Sequence, residues 1–228
     1  MCTAMIKKII LSLLILSSIN PAHSFKNSSN FNDAKSAIAE NNMQLFELIC
    51  RRGLDVNQAA PDGLTLLILA IQQRNRNAVT ILLDHGVDIN GVHLINPLLY
   101  AFKMNSMPLI LLLLEHGAVL TQTMIQLAIA ENNINIITFL NSIGYNPIAL
   151  FPDHATPFLA MAIKSGNLKM VQLLIMLGAD PFLQNSASES AFEFAQTYGT
   201  PAIRAFFYSL RPDHCPAYCE SRTRAASF

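Results

Sequence analysis

The six residues Ala37-Ile38-Ala39-Glu40-Asn41-Asn42 return unchanged as Ala128-Ile129-Ala130-Glu131-Asn132-Asn133, and both copies meet a glycine sixteen residues after the first alanine, at Gly53 and Gly144. The same frame fits Ala70 with Gly86, Ala101 with Gly117 and Ala162 with Gly178. A sixth copy opens at Ala195, but Arg211 stands where its glycine belongs. Successive alanines lie 33, 31, 27, 34 and 33 residues apart. A chain repeating itself at this period builds its core from units that hide their apolar faces only against their neighbours.

Each copy carries helical periodicity. Eight residues after the alanine stand Leu45, Ala78, Leu109, Ile136, Met170 and Ile203, with further apolar pairs three and four residues on. This i, i+3, i+4 spacing marks the buried face of a second helix. Between the two helices of each copy sit Asn41, Arg74, Asn105, Asn132, Gly166 and Gly199, where a left-handed residue is expected to end the first helix. The closing glycine does the same for the second. The expectation is an all-α solenoid of six stacked helix-turn-helix units over residues 33–210, the first and last acting as caps. Residues 25–32 are expected as a linker and 211–228 as a tail.

The repeat resembles the ankyrin repeat. Thr65-Leu66-Leu67-Ile68-Leu69-Ala70 and Thr156-Pro157-Phe158 look like that family's opening, Leu82 to Asn90 and Leu174 to Pro181 like its closing motif. The opening histidine of the family is missing, replaced by Ile68, Leu99, Gln126, Ala160 and Glu193. Because that side chain helps to tie adjacent turns, its loss implies looser loops. The spacing of 27 between Ala101 and Ala128 leaves no room for a projecting finger before Thr121.

Residues 1–24 have the layout of a secretory signal peptide. Lys7 and Lys8 precede the apolar stretch Ile9 to Ile19, then come Pro21 and the small residues Ala22 and Ser24 of a cleavage site. The stretch is too short for a membrane anchor, which takes about 20 apolar residues. Cleavage before Phe25 and export are expected, to the periplasm of a Gram-negative cell and otherwise to the outside. Fifteen basic residues balance fifteen acidic ones, so no basic field points to nucleic acid.

Chemistry-bearing patterns are sparse. No nucleophile elbow, glycine-rich phosphate loop or cofactor motif occurs. Glu40 and Glu131 recur at one repeat position, three repeats apart, too far for paired-carboxylate work. His85 and His116 read as surface turn positions. The run His214-Cys215-x-x-x-Cys219 suits a small disulfide loop, a bridge to Cys50, free thiols or a metal without an evident fourth ligand. Leu109 to Leu114 is either a centrally packed helix or a self-association patch.

For the family, the resemblance implies a non-catalytic module that binds another protein through its fingers and the exposed ends of its first helices. Carried over position by position, these are Gln72 and Gln73, Lys103 and Met104, Ala130 and Glu131, and Lys164 and Ser165. The finger residues Asp62, Leu64, His93, Asp153 and His154 would extend the surface. A self-associating envelope protein and a metal protein built on the C-terminal cysteines are the alternatives.

Overall fold

Asparagine, serine, threonine and glycine recur between the apolar stretches of this chain, and in a computed structural model residues of these types cap most of its helices. The structure describes residues 27–90, 96–185 and 188–211. The expected leader, His93, Cys215 and Cys219 lie outside the described residues.

Six helix pairs follow one another. The first helices are α1 (Asn27–Ala39), α3 (Leu66–Gln72), α5 (Pro97–Lys103), α7 (Gln122–Ala130), α10 (Ala155–Lys164) and α12 (Ala191–Tyr198). The second helices are α2 (Met43–Arg51), α4 (Arg76–Asp84), α6 (Met107–Glu115), α8 (Ile134–Ser142), α11 (Leu168–Met176) and α13 (Pro201–Ser209), each of nine residues. A four-residue helix α9 (Pro147–Leu150) and a 3-10 turn at Pro152–His154 fill the connection between the fourth and fifth units. α1 begins at Asn27, inside the stretch expected as linker, and buries Phe31 and Ala34.

First helices pack on first helices and second on second, so each unit touches mainly its neighbours. All six repeat alanines are buried, because a larger side chain would hold the paired helices apart. Asn41, Arg74, Asn105 and Asn132 adopt the left-handed conformation with φ of 50–54°, as expected of the residue that ends each first helix. Gly199 does not, with φ −71°. Its lack of a side chain serves a different need, since a Cβ there would lie 2.4 Å from the Ala195 carbonyl oxygen.

The second helices start from a recurring cap. Asn42, Asn75, Asn133 and Asn167 accept the N–H three residues on through their side-chain oxygens. The side-chain N–H of three of them reaches back one unit: Asn75 to Asn41 at 3.1 Å, Asn133 to Asn105 at 3.0 Å and Asn167 to Asn132 at 3.0 Å. The ladder skips the third unit, where Ser106 occupies the cap and makes no side-chain cap bond. On the second unit's side of that junction Arg74 replaces the asparagine, and its guanidinium donates to the Met104 carbonyl at 2.8 Å.

A second set of rungs ties the outer turns, between the second helix of one unit and the first of the next. The Asn57 side-chain oxygen accepts from Asp88 N–H at 2.7 Å, and that of Asn90 accepts from Val119 N–H at 2.9 Å. The looser loops implied by the missing histidine therefore do not follow for the first three units, since asparagine side chains tie their outer turns. At the next position Thr121 replaces asparagine, and its hydroxyl bonds Thr123 instead.

The shortened third unit passes from Ala118 straight to α7 without a finger, as its spacing requires. Within Leu109 to Leu114 every residue but the half-buried Leu111 is buried, so this stretch is a sandwiched helix. The self-association patch considered for it is absent, because neighbouring helices cover the side chains that would have formed it.

The sixth unit ends the stack chemically. Ile38, Ile71, Phe102, Ile129 and Ile163 share one position of the first helix and are buried by the following unit; the sixth unit has Gln196 there. Phe46, Val79, Ile110, Ile137 and Val171 share one position of the second helix, and Arg204 takes it, exposed. Arg211, expected as a cap residue, lays its guanidinium over Phe192 at 4.7 Å and Tyr208 at 5.1 Å.

Candidate protein-binding ledge

Because the first helices stack in register, the residues at their C-terminal ends form a row along one side. Neighbouring units in such a stack stand about 8–10 Å apart, the usual distance between packed helices. Gln72, Gln73, Lys103, Ala130, Glu131, Lys164 and Ser165 are all exposed in this row, and Met104 is half-buried. Apolar residues immediately before them, such as Ile71, Phe102, Ile129 and Ile163, are fully buried. The backbone beneath the row is fixed while its side chains are free to differ.

The row divides into two kinds of residue. Gln72, Gln73, Glu131 and Lys164 make no side-chain hydrogen bond or ion pair among the described residues. Lys103 adds only a distant approach to the Tyr100 ring, 5.9 Å from its centre. Ser165 is different: its hydroxyl donates to the Asn132 side chain and the Ala162 carbonyl, so it belongs to the ladder. Met104 holds Arg74 through its backbone.

The finger residues fall away from this row, at the outer turns. Asp62 is exposed, and its carboxylate accepts the Leu64 N–H at 3.0 Å, closing a tight turn in which Ala59 bridges Thr65. Leu64 is half-buried. Asp153 and His154 sit in a 3-10 turn rather than a hairpin, with the His154 ring 6.0 Å from that of Phe158. The cause is local: Pro147 and Pro152 stand in the first turns of their short helices, where the missing N–H costs nothing, and Asn146 caps the first of them.

Two end residues extend the row beyond those expected. Glu40 in the first unit and Tyr198 in the sixth occupy the same position and are exposed. Tyr198 is 59% exposed and its ring lies 4.5 Å from that of Phe194. The repeat frame contains both. Treating the terminal units as caps hid them.

An open cavity of about 460 Å³ lies at one end of the row, lined by Ile38, Ala39, Asn41, Gln73 and the four residues Arg74 to Asn77. No cluster of three or more potential metal ligands occurs among the described residues. No described helix is long and apolar enough to cross a membrane. Cys50 is buried and its thiol is pushed up to about 11, chiefly by desolvation.

Comparison with known proteins agrees with this geometry. The family model for ankyrin repeats in three copies matches residues 35–123, and the single ankyrin repeat model matches 153–186, together more than half of the chain. An ankyrin repeat protein of Fowlpox virus (strain NVSL) is 27% identical over 141 residues, covering 59% of this chain and 99% of its own. One from Rickettsia felis is 30% identical over 141 residues, covering 61% of this chain and 52% of its own. The match thus spans about half of the Rickettsia protein. Among solved structures, an ankyrin repeat domain from Acinetobacter baumannii AYE shares the fold with a TM-score of 0.61 at 23% identity, over 77% of this chain and 95% of that one. The ankyrin repeat protein EF0377 has the same score at 21% identity, over 78% and 97%.

Proposed function

Since the chain belongs to the ankyrin-repeat family, we propose that it is a non-catalytic module, exported from the cytoplasm, that grips one partner protein along the ledge of its first helices. The observation that carries this is the division of labour in the ledge. Gln72, Gln73, Glu131 and Lys164 have no structural partner among the described residues, while the turns beneath them are tied by the asparagine ladder. Side chains that vary on a rigid frame present a surface at little conformational cost, which is what tight recognition needs.

The test is capture of a partner by the purified protein, followed by the double change Lys103→Glu and Lys164→Glu. Both residues are exposed and neither forms an ion pair among the described residues. Binding is expected to weaken while the melting curve stays in place, because surface charges tune association without supporting the fold. Unchanged binding would remove the ledge from consideration. Export rests on Lys7, Lys8, the Ile9–Ile19 stretch and Ala22-His23-Ser24. N-terminal sequencing of the protein from its native compartment should begin at Phe25, and an intact Met1 would overturn export.

A further inference from the structure

Formal neutrality conceals a separation of charge in this solenoid. In the second to fifth units, the inner turns that join first to second helix carry Arg74, Arg76, Lys103, Lys164 and Lys169 against a single carboxylate, Glu131. The outer turns of the same units carry Asp84, Asp88, Glu115, Asp153, Asp180 and Glu189 and no lysine or arginine. Stacking in register places all inner turns along one edge and all outer turns along the other. The first unit runs the other way, with Glu40 on its inner turn and Arg51 and Arg52 on its outer one, so the positive track begins at Arg74. A nine-residue helix separates the two by about 13 Å. That exceeds the Debye length of about 8 Å at physiological salt, so the edges do not cancel one another.

None of the five inner cations forms an ion pair among the described residues. Two of them also stand where the fold disfavours them. Arg76 is the first residue of α4 and Lys169 the second of α11, next to the positive ends of those helix dipoles. Residues that oppose a local rule without internal compensation mark a requirement other than stability. Beside Arg74 and Arg76 lies the 460 Å³ cavity, whose lining is otherwise asparagine, glutamine, Ile38 and Ala39 and contains no acid.

We infer that the inner-turn edge is the docking track for an acidic segment of the partner protein, with an acidic side chain entering the cavity beside Arg74 and Arg76. This rests on the protein-binding function proposed above and names the chemistry of its partner. Glu131 breaks the positive track between Lys103 and Lys164, so the segment carries a neutral or basic residue opposite that point. The cations, five over four units with none in the fourth, are sparse beside the charge density of a nucleic acid backbone. A membrane surface is poorly matched as well, because Tyr198 is the one large apolar side chain exposed on this edge among the described residues.

The test uses the full chain and a fluorescent oligoglutamate peptide of about ten residues, long enough at ~3.3 Å per residue to run along four units. Anisotropy should show binding that weakens as salt rises. The double change Arg76→Glu and Lys169→Glu should reduce affinity by at least about tenfold. The same change should leave the Tm equal or raise it, since carboxylates suit the first turn of a helix. The double change Asp84→Lys and Glu115→Lys on the outer edge should leave peptide binding unaltered. Failure of the wild-type chain to bind the peptide, equal binding by the Arg76/Lys169 variant, or tighter binding of oligo-dT or phosphatidylglycerol vesicles would overturn the inference. Capture of a partner that survives the Arg76/Lys169 change but is lost with Gln72→Ala and Gln73→Ala, two neutral residues of the ledge, would overturn the acidic track alone. The protein-binding function would then stand.

Discussion

Replacing Asn133 by alanine removes two interactions at once. Its side-chain oxygen accepts the Ile136 N–H at 3.2 Å as the cap of α8, and its side-chain N–H donates to Asn105 at 3.0 Å. Loss of an asparagine cap costs about 1 kcal/mol. A hydrogen bond between exposed neutral side chains adds about 0.5–1 kcal/mol, because water replaces much of it. The expected cost is about 1.5–2 kcal/mol, or roughly 3–8 °C in Tm for a chain of this size. Ser106 occupies the equivalent position in the third unit without a side-chain cap bond, so Ser106→Ala should cost less than about 0.5 kcal/mol. Urea melts followed by circular dichroism compare the two directly. Conversely, Arg74→Asn combined with Ser106→Asn installs the missing rung, and a double-mutant cycle should show a favourable coupling of about 0.5–1 kcal/mol. Equal costs for Asn133→Ala and Ser106→Ala, or a coupling of zero, would refute the ladder as a source of stability.

The remaining predictions concern burial and protonation. Leu174→Ala should cost about 2–5 kcal/mol in the same melts, and Leu173→Ala clearly less, since Leu174 is fully buried and Leu173 only half. The Ser190 backbone N–H and then its hydroxyl hold the Glu193 carboxyl below its ordinary value of 4.5. That contribution is present above the unfolded pKa and is lost as the pH falls through the lower folded value, so Ser190→Ala should flatten the acid limb of a stability–pH curve. Cys50, held at about 11 against an ordinary 9.0, favours the folded state below pH 9. Stability from it should fall as the pH rises from 9 towards 11, and Cys50→Ala should remove that slope; thiol labelling of the native protein should be slow at neutral pH.

The fold was largely legible because a solenoid writes its architecture locally. The left-handed positions at Asn41, Arg74, Asn105 and Asn132, the equal second helices and the missing finger all follow from short-range patterns that recur. What escaped were features depending on pairs about thirty residues apart. The bond from Asn75 to Asn41 spans 34 positions, and no periodicity of apolar residues announces it. Leu109 to Leu114 could not be assigned from its own composition, because only the neighbouring helices decide whether such a stretch is buried. The ledge was legible as a set of positions, but Ser165 proved to be committed to the ladder. Its electrostatic character lay in Arg76 and Lys169, outside the two positions the family pattern singles out.

The outer rungs, made by other asparagines, explain where the stack is least secured. Between the first three units, Asn57 and Asn90 bond the next outer turn. Between the fourth and fifth, the Asn146 side-chain N–H donates to the Leu177 carbonyl at 2.9 Å. Between the third and fourth, Thr121 turns inward to Thr123, and no hydrogen bond joins the two outer turns among the described residues. The finger is missing at this junction, and α6 and α8 approach one another less closely than other successive second helices. What remains is the inner rung from Asn133 to Asn105, the packing of α5 on α7 and the apolar side chains of α6. In an array whose stability is a sum of unit and interface contributions, the interface with fewest polar ties must draw its strength from apolar burial. An almost wholly apolar second helix is therefore expected at this one position, and α6 is that helix.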